Sequence, residues 1–181
     1  NVVVAASYQP LKNMKRLILA LAKLNDEERR RIHVDWYGQI NVATYGTMPY
    51  DESNALIREN NLESVISLNP PTTQIYELMN AADVVALVSE VEGLPNVICE
   101  ALMLGKPILM TNVSDYTTLV GNDNGYVCHY DDVDSIVNAL RKFIALSEDH
   151  LLALGRNSHE IYNNKFAPAV IINEWKRLII D

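Results

Sequence analysis

The chain has 181 residues, 49% hydrophobic and 21% charged, enough for one sizeable core and too few for two average domains, with nothing of a disordered or low-complexity composition. Fifteen Lys and Arg against 23 Asp and Glu give a net charge of −8, which disfavours broad nucleic-acid or anionic-membrane binding yet leaves room for one small basic site. The two cysteines, Cys99 and Cys128, and four scattered histidines make neither a disulfide framework nor zinc-ligand spacing, and no apolar run approaches the roughly twenty residues of a membrane span.

The chain opens without methionine, almost directly on an apolar run, so Asn1 is expected to be a boundary inside a longer protein. Val2 to Ala6 is β-branched and continuous, the pattern of a strand buried on both faces. Ser7 to Leu11 reads as a loop, and from Asn13 the spacing of Leu17, Ile18, Leu21, Ala22 and Leu24 predicts an amphipathic helix. Ile32 to Tyr37 is the next strand, ended by Gly38 where a side chain would obstruct a loop or ligand. Gln39 to Met48 reads as loop, and Pro49, Asp51 and Glu52 open a helix running to about Asn60. Val65 to Leu68 is a short strand that Pro70 and Pro71 stop, with Thr72 or Thr73 capping a helix through Ile75, Leu78 and Met79.

Val84 to Val88 is the clearest central strand, followed by a turn over Ser89 to Pro95, a helix over Asn96 to Leu104 and a left-handed cap at Gly105. Ile108 to Thr111 returns as a strand, Tyr116 to Val120 as a short helix and Tyr126 to Cys128 as an edge strand. Asp131 or Asp132 caps a helix bearing Ile136, Val137, Leu140 and Ile144, and two more helices follow at about 148–163 and 167–179. The repetition predicts one α/β domain over residues 1–181: a Rossmann-like, doubly wound parallel sheet of about six strands with helices on both faces.

Such a sheet gathers its strand-to-helix loops at the carboxyl edge. In SYQPLKN, Lys12 approaches a helix start that already favours anions, so it is either a phosphate contact or a solvated lysine. In SEVEGLPNVICEALMLGKP, Glu92 and Glu100 are separated by seven residues. A carboxylate presents up to about four lone-pair sites and suits vicinal hydroxyls, although a solvated turn residue and a helix-surface residue would show the same spacing. Backbone N–H groups from Gly93 and Leu94 past Pro95 to Asn96 and Val97 can meet a diphosphate. In LNPPTTQ, backbone atoms of Asn69, Pro70 and Thr72 can read a base edge, or the prolines merely end a strand. Tyr8 either leans over this loop cluster or packs inside.

With its buried strand, EGLPN turn, internal glutamate and GKP exit, the chain resembles, from about Asn1 through Ile180, the nucleotide-sugar-binding half of family-4-type retaining glycosyltransferases of the GT-B fold. The family's paired-glutamate signature is matched by Glu92 and Glu100, and VAASYQPLKNMKRLILAL is similar to its first strand, phosphate loop and helix. The resemblance makes Lys12 the pyrophosphate lysine, while Ser7 stands where members commonly carry an arginine. A serine can donate a hydrogen bond but supplies neither the charge nor the fork of a guanidinium.

The resemblance implies a hexosyltransferase-like enzyme as part of a longer chain, the isolated fragment being inactive and the acceptor half with its usual histidine absent. Lys12 and Glu92 would support catalysis. Donor contacts would come from Ser7, Lys12, Asn69, Pro70, Thr72, Glu92, Gly93, Leu94, Pro95, Asn96, Val97 and Glu100, with Glu92 on the sugar and Glu100 on the ribose. It implies a UDP-sugar, GDP-sugar or other NDP-sugar donor, no cofactor, no divalent metal and no nucleic acid. The acceptor, whether glycan, lipid-linked or a small molecule, stays open. A cytoplasmic location follows, with a peripheral position at the membrane's cytoplasmic face open to the full-length protein. The rival reading is a noncatalytic nucleotide-binding or protein-interaction module on the same sheet. A dinucleotide oxidoreductase is disfavoured because the first loop has no GxGxxG turn.

Overall fold

The computed structural model describes residues 1–121 and 123–180. Six parallel strands form one sheet: β1 (Val2–Ala5), β2 (Val34–Tyr37), β3 (Ile66–Asn69), β4 (Val84–Leu87), β5 (Ile108–Thr111) and β6 (Gly125–Cys128). Their spatial order is β3-β2-β1-β4-β5-β6, so the winding reverses between β1 and β4, the switch point at which such sheets open a crevice.

Ten α-helices surround the sheet among the described residues: α1 (Met14–Ala22), α2 (Asp26–Arg29), α3 (Val42–Tyr45), α4 (Met48–Glu59), α5 (Ile75–Ala81), α6 (Asn96–Met103), α7 (Tyr116–Leu119), α8 (Val133–Ala145), α9 (Glu148–Ile161) and α10 (Pro168–Ile180). Strand side chains alternate between two cores. Val2, Val4, Val84 and Ala86 join Leu17, Ile18, Leu21 and Leu140 on one face, while Val3, Val85 and Leu87 join Ile98, Ala101 and Leu102 on the other. Burying each of the larger aliphatic side chains contributes about 1.5–3 kcal/mol.

The doubly wound expectation is met, and several local expectations need correction. The Ser7–Leu11 loop contains the start of a single 3-10 turn, Pro10–Lys12, and the Gln39–Met48 loop contains α3. Helix α2 was not foreseen, although Asn25 and Glu28 form a reciprocal capping box around it. Neither Thr72 nor Thr73 is the N-cap of α5. That position is Gln74, and the Thr72 hydroxyl instead accepts the Gln74 N–H at 3.1 Å. Asp132, not Asp131, caps α8 by accepting N–H bonds from Asp134 and Ser135. The last two helices are joined by a π turn, Tyr162–Phe166. Gly38 is needed for a loop: a Cβ there would lie 2.0 Å from the Ala6 carbonyl oxygen.

Candidate active site at the sheet's switch point

Two loops meet where the winding reverses. Leaving β1, the chain is fastened by hydrogen bonds from Ala6 N–H to the Tyr37 carbonyl (3.0 Å) and from Tyr8 N–H to the Gln39 carbonyl (2.9 Å). Trp36 Nε1 donates to the Ala6 carbonyl at 2.7 Å. Tyr8 is buried, its hydroxyl 2.7 Å from the Asn69 carbonyl and 3.2 Å from that of Trp36. Burial therefore pushes its pKa above the usual phenol value, and packing is the reading that holds.

Asn13 follows the 3-10 turn with φ of 62°, a left-handed conformation that asparagine tolerates better than most residues. Its buried Nδ2 donates to the carbonyls of Val88 (2.9 Å) and Tyr130 (2.8 Å), tying the start of α1 to the ends of β4 and β6.

The second loop, Ser89 to Pro95, is stitched to the first. Glu90 N–H donates to the Leu11 carbonyl at 2.8 Å, and the Arg16 guanidinium pairs with Glu90 and donates to Asn13 Oδ1. Lys12 Nζ lies 2.7 Å from Glu92 Oε1, with side chains only 25% and 14% exposed. Ser89 Oγ donates to the same Glu92 oxygen at 2.6 Å. The lysine and first glutamate, 80 residues apart in sequence, thus form one ion pair across the mouth of the crevice.

Pro95 is the N-cap of α6, its carbonyl accepting the N–H groups of Ile98 (3.0 Å) and Cys99 (3.3 Å). The Asn96 and Val97 N–H groups have no acceptor among the described residues, as the first turn of a helix requires. Gly93 and Leu94 are exposed beside them. One turn into α6, Glu100 accepts a hydrogen bond from the Tyr76 hydroxyl at 3.0 Å, and this bond holds the Tyr76 pKa above its ordinary value.

The structure therefore joins Lys12 directly to Glu92, sets Gly93, Leu94, Asn96 and Val97 at the same edge, and leaves Glu100 on the adjoining helix turn. Ser7 is half-buried and its hydroxyl makes no hydrogen bond among the described residues. Pro70 and Thr72 lie on the loop after β3. The Asn69 carbonyl accepts hydrogen bonds from the Tyr8 hydroxyl and from the Gly38 N–H at 3.2 Å.

Arg16, one turn beyond Lys12, is engaged with Glu90. Lys106 of the GKP exit donates instead to the Asn80 and Ala82 carbonyls at the end of α5, and burial lowers its pKa. Sequence reasoning missed Asn13, Ser89, Glu90 and Tyr76. Their only signal was a position beside a predicted turn. A cavity of about 670 Å³ between α1 and α4 shares Gln9, Pro10, Arg16 and Glu90 with these loops but is not lined by Lys12, Glu92 or Glu100.

A model of the family described as Glycosyl transferases group 1 matches residues 1–160. UDP-Gal:alpha-D-GlcNAc-diphosphoundecaprenol alpha-1,3-galactosyltransferase of Escherichia coli is 30% identical over 123 residues, 67% of this chain and 31% of the relative. The amylovoran biosynthesis glycosyltransferase AmsD of Erwinia amylovora is 25% identical over 126 residues, 68% of this chain and 34% of the relative. Among solved structures, Anabaena Alr3699/HepE in complex with UDP superposes with a TM-score of 0.84 at 23% identity, over 99% of this chain and 48% of that one. The matched chain spans about a third of those curated relatives and less than half of that structure.

Proposed function

Since the chain belongs to the Glycosyl transferases group 1 family, with the GT-B-type fold, we propose that it is the donor-binding half of a retaining, family-4-type glycosyltransferase. In this reading residues 1–181 form the C-terminal domain, and an acceptor half elsewhere in the parent protein completes the enzyme. The reaction breaks the bond from the donor's anomeric carbon to the diphosphate oxygen and forms one to an acceptor hydroxyl oxygen, whose proton leaves with the departing diphosphate.

The observation that carries the proposal is the Lys12–Glu92 pair at 2.7 Å, set beside the free N–H groups of the first turn of α6. An arriving diphosphate supplies Lys12 with a stronger anionic partner and releases Glu92 to accept hydrogen bonds from donor-sugar hydroxyls. The Asn96 and Val97 N–H groups and the α6 dipole complete the anion site. Charge developing on the leaving diphosphate is thus met by preorganised donors, and no divalent metal is required. Glu100 holds the ribose. Pro70 and Thr72 border the base.

UDP-sugars are the first donors to test, because the E. coli relative is named for UDP-Gal and the Anabaena structure holds UDP. The E. coli relative's name also makes a lipid-linked glycan the first acceptor to test, which would place the parent at the cytoplasmic face of a membrane. No described helix is long and apolar enough to cross one.

Calorimetry of the chain with UDP, GDP and their sugar conjugates tests the proposal. Lys12→Ala should weaken the nucleoside diphosphate about 10- to 100-fold, the loss of one hydrogen bond to a charged group, ~1.5–3 kcal/mol. Glu92→Gln should instead erase the advantage of the sugar conjugate over the bare diphosphate. Parent-like binding by both folded variants overturns the assignment.

A further inference from the structure

Tyr76 is the second residue of α5, which follows the loop over residues 70–74, and its hydroxyl reaches over to α6 to donate to Glu100 Oε1 at 3.0 Å. The side chains come from helices 24 residues apart in sequence. Tyr76 is 46% exposed, so the bond is not part of either core, and a single exposed hydrogen bond contributes little net stability because water competes for both partners. Its consequence is directional. A free glutamate at a helix surface samples many rotamers, whereas one tethered at Oε1 keeps Oε2 aimed, and Oε2 accepts no hydrogen bond among the described residues.

Neighbouring contacts keep the tether in place. Ile75 packs against the second core and Met79 is fully buried in it, which fixes the rotation of α5. Ile98, Ala101 and Leu102, buried in the same core, fix α6. The two helices therefore hold phenol and carboxylate at a set separation without help from a ligand.

We propose that Tyr76 is a positioning residue that sets ribose specificity: by occupying one oxygen of Glu100, it presents the other to the vicinal hydroxyls of a bound nucleotide's ribose. This rests on the assignment of Glu100 to the ribose. A preset carboxylate gains most from a 2′,3′-diol, because two adjacent hydroxyls donate to it together, and gains least from a sugar lacking one of them.

The test compares binding of UDP and GDP with that of their 2′-deoxy forms by calorimetry, for the parent chain and for Tyr76→Phe and Glu100→Gln. The phenylalanine keeps the ring and removes only the donor. Tyr76→Phe should melt with the parent, lose roughly 3- to 10-fold in affinity for the ribonucleotide and leave the 2′-deoxy form unchanged, so that discrimination narrows. Glu100→Gln should abolish discrimination. If Glu100→Gln narrows it and Tyr76→Phe does not, the tether has no role in recognition and the inference fails alone. If Glu100→Gln discriminates as the parent does, or the parent binds none of the four nucleotides, the ribose assignment fails and takes the inference with it.

Discussion

Gly93 stands in the turn between β4 and α6 outside the left-handed region, and a Cβ built there meets nothing within 4 Å. Nothing in the fold requires glycine at this position, since the usual reasons are a left-handed backbone or a close neighbour. Gly93→Ala should therefore leave the melting temperature unchanged or raise it slightly, by about 0.4–1 kcal/mol of reduced unfolded-state entropy. If the diphosphate or donor sugar rests on this turn, the added methyl should weaken the sugar conjugate about 10-fold. A thermal melt paired with calorimetry reads both, and full affinity in the stable variant would move the donor away from Gly93. Gly38 behaves oppositely, because its missing Cβ is what admits the Ala6 carbonyl. The sequence marked Gly38 as a place where a side chain would obstruct a loop or ligand, but only the fold shows that the Ala6 carbonyl is what would be struck. The same holds for Lys12 and Glu92. Each was recognisable from its own turn and helix start, yet their ion pair depends on β1 and β4 being neighbours, which no local spacing encodes.

At the scale of elements, the exit from α6 was legible because its chemistry is local. Gly105 has φ of 64°, its N–H donates to the Leu102 carbonyl at 3.0 Å, and Lys106 N–H donates to that of Ala101 at 2.9 Å, the paired bonds of a Schellman motif. What packs on that motif was not legible. Gly155 of α9 comes so close that a Cβ would lie 2.3 Å from the Gly105 carbonyl oxygen, and Ser158 Oγ donates to the Lys106 carbonyl at 2.7 Å. Gly155→Val should push α9 off α6 and destabilise the chain by about 1–3 kcal/mol, a fall of roughly 2–12 °C in melting temperature. Because the contact is at the C-terminal end of α6, nucleoside diphosphate affinity below the transition should not change. A variant with the parent's melting temperature would mean that α9 does not bear on this turn. Helices α2 and α3 escaped notice for a different reason. Four residues are barely one turn, too short to show a 3.6-residue period, so only the Asn25–Glu28 capping pair announced one of them.

At the scale of the molecule, α10 is the element that leaves an apolar face in water. Ile171, Ile172, Trp175, Leu178 and Ile179 recur at helical spacing with exposures of 39–78%. A stripe of this kind normally faces a core, and a contiguous apolar surface of that size normally faces a partner. From sequence it was indistinguishable from core packing, because periodicity reports that a face is apolar but not what covers it. Since the chain spans only about a third to a half of the relatives described above, the occupant we propose is the acceptor half of the parent protein. Replacing Ile172, Trp175 and Leu178 together with serine should then leave the melting temperature of this chain unaltered, since those side chains already stand in water. In the parent protein the same replacement should lower kcat/KM for transfer by about 10-fold or more, because donor and acceptor halves must hold their reacting atoms within a fraction of an ångström. Calorimetric affinity for the nucleoside diphosphate should persist in both settings. Undiminished transfer by the triple variant would show that α10 does not join the halves, while a lower melting temperature in the isolated chain would show that its apolar face belongs to this domain's own packing.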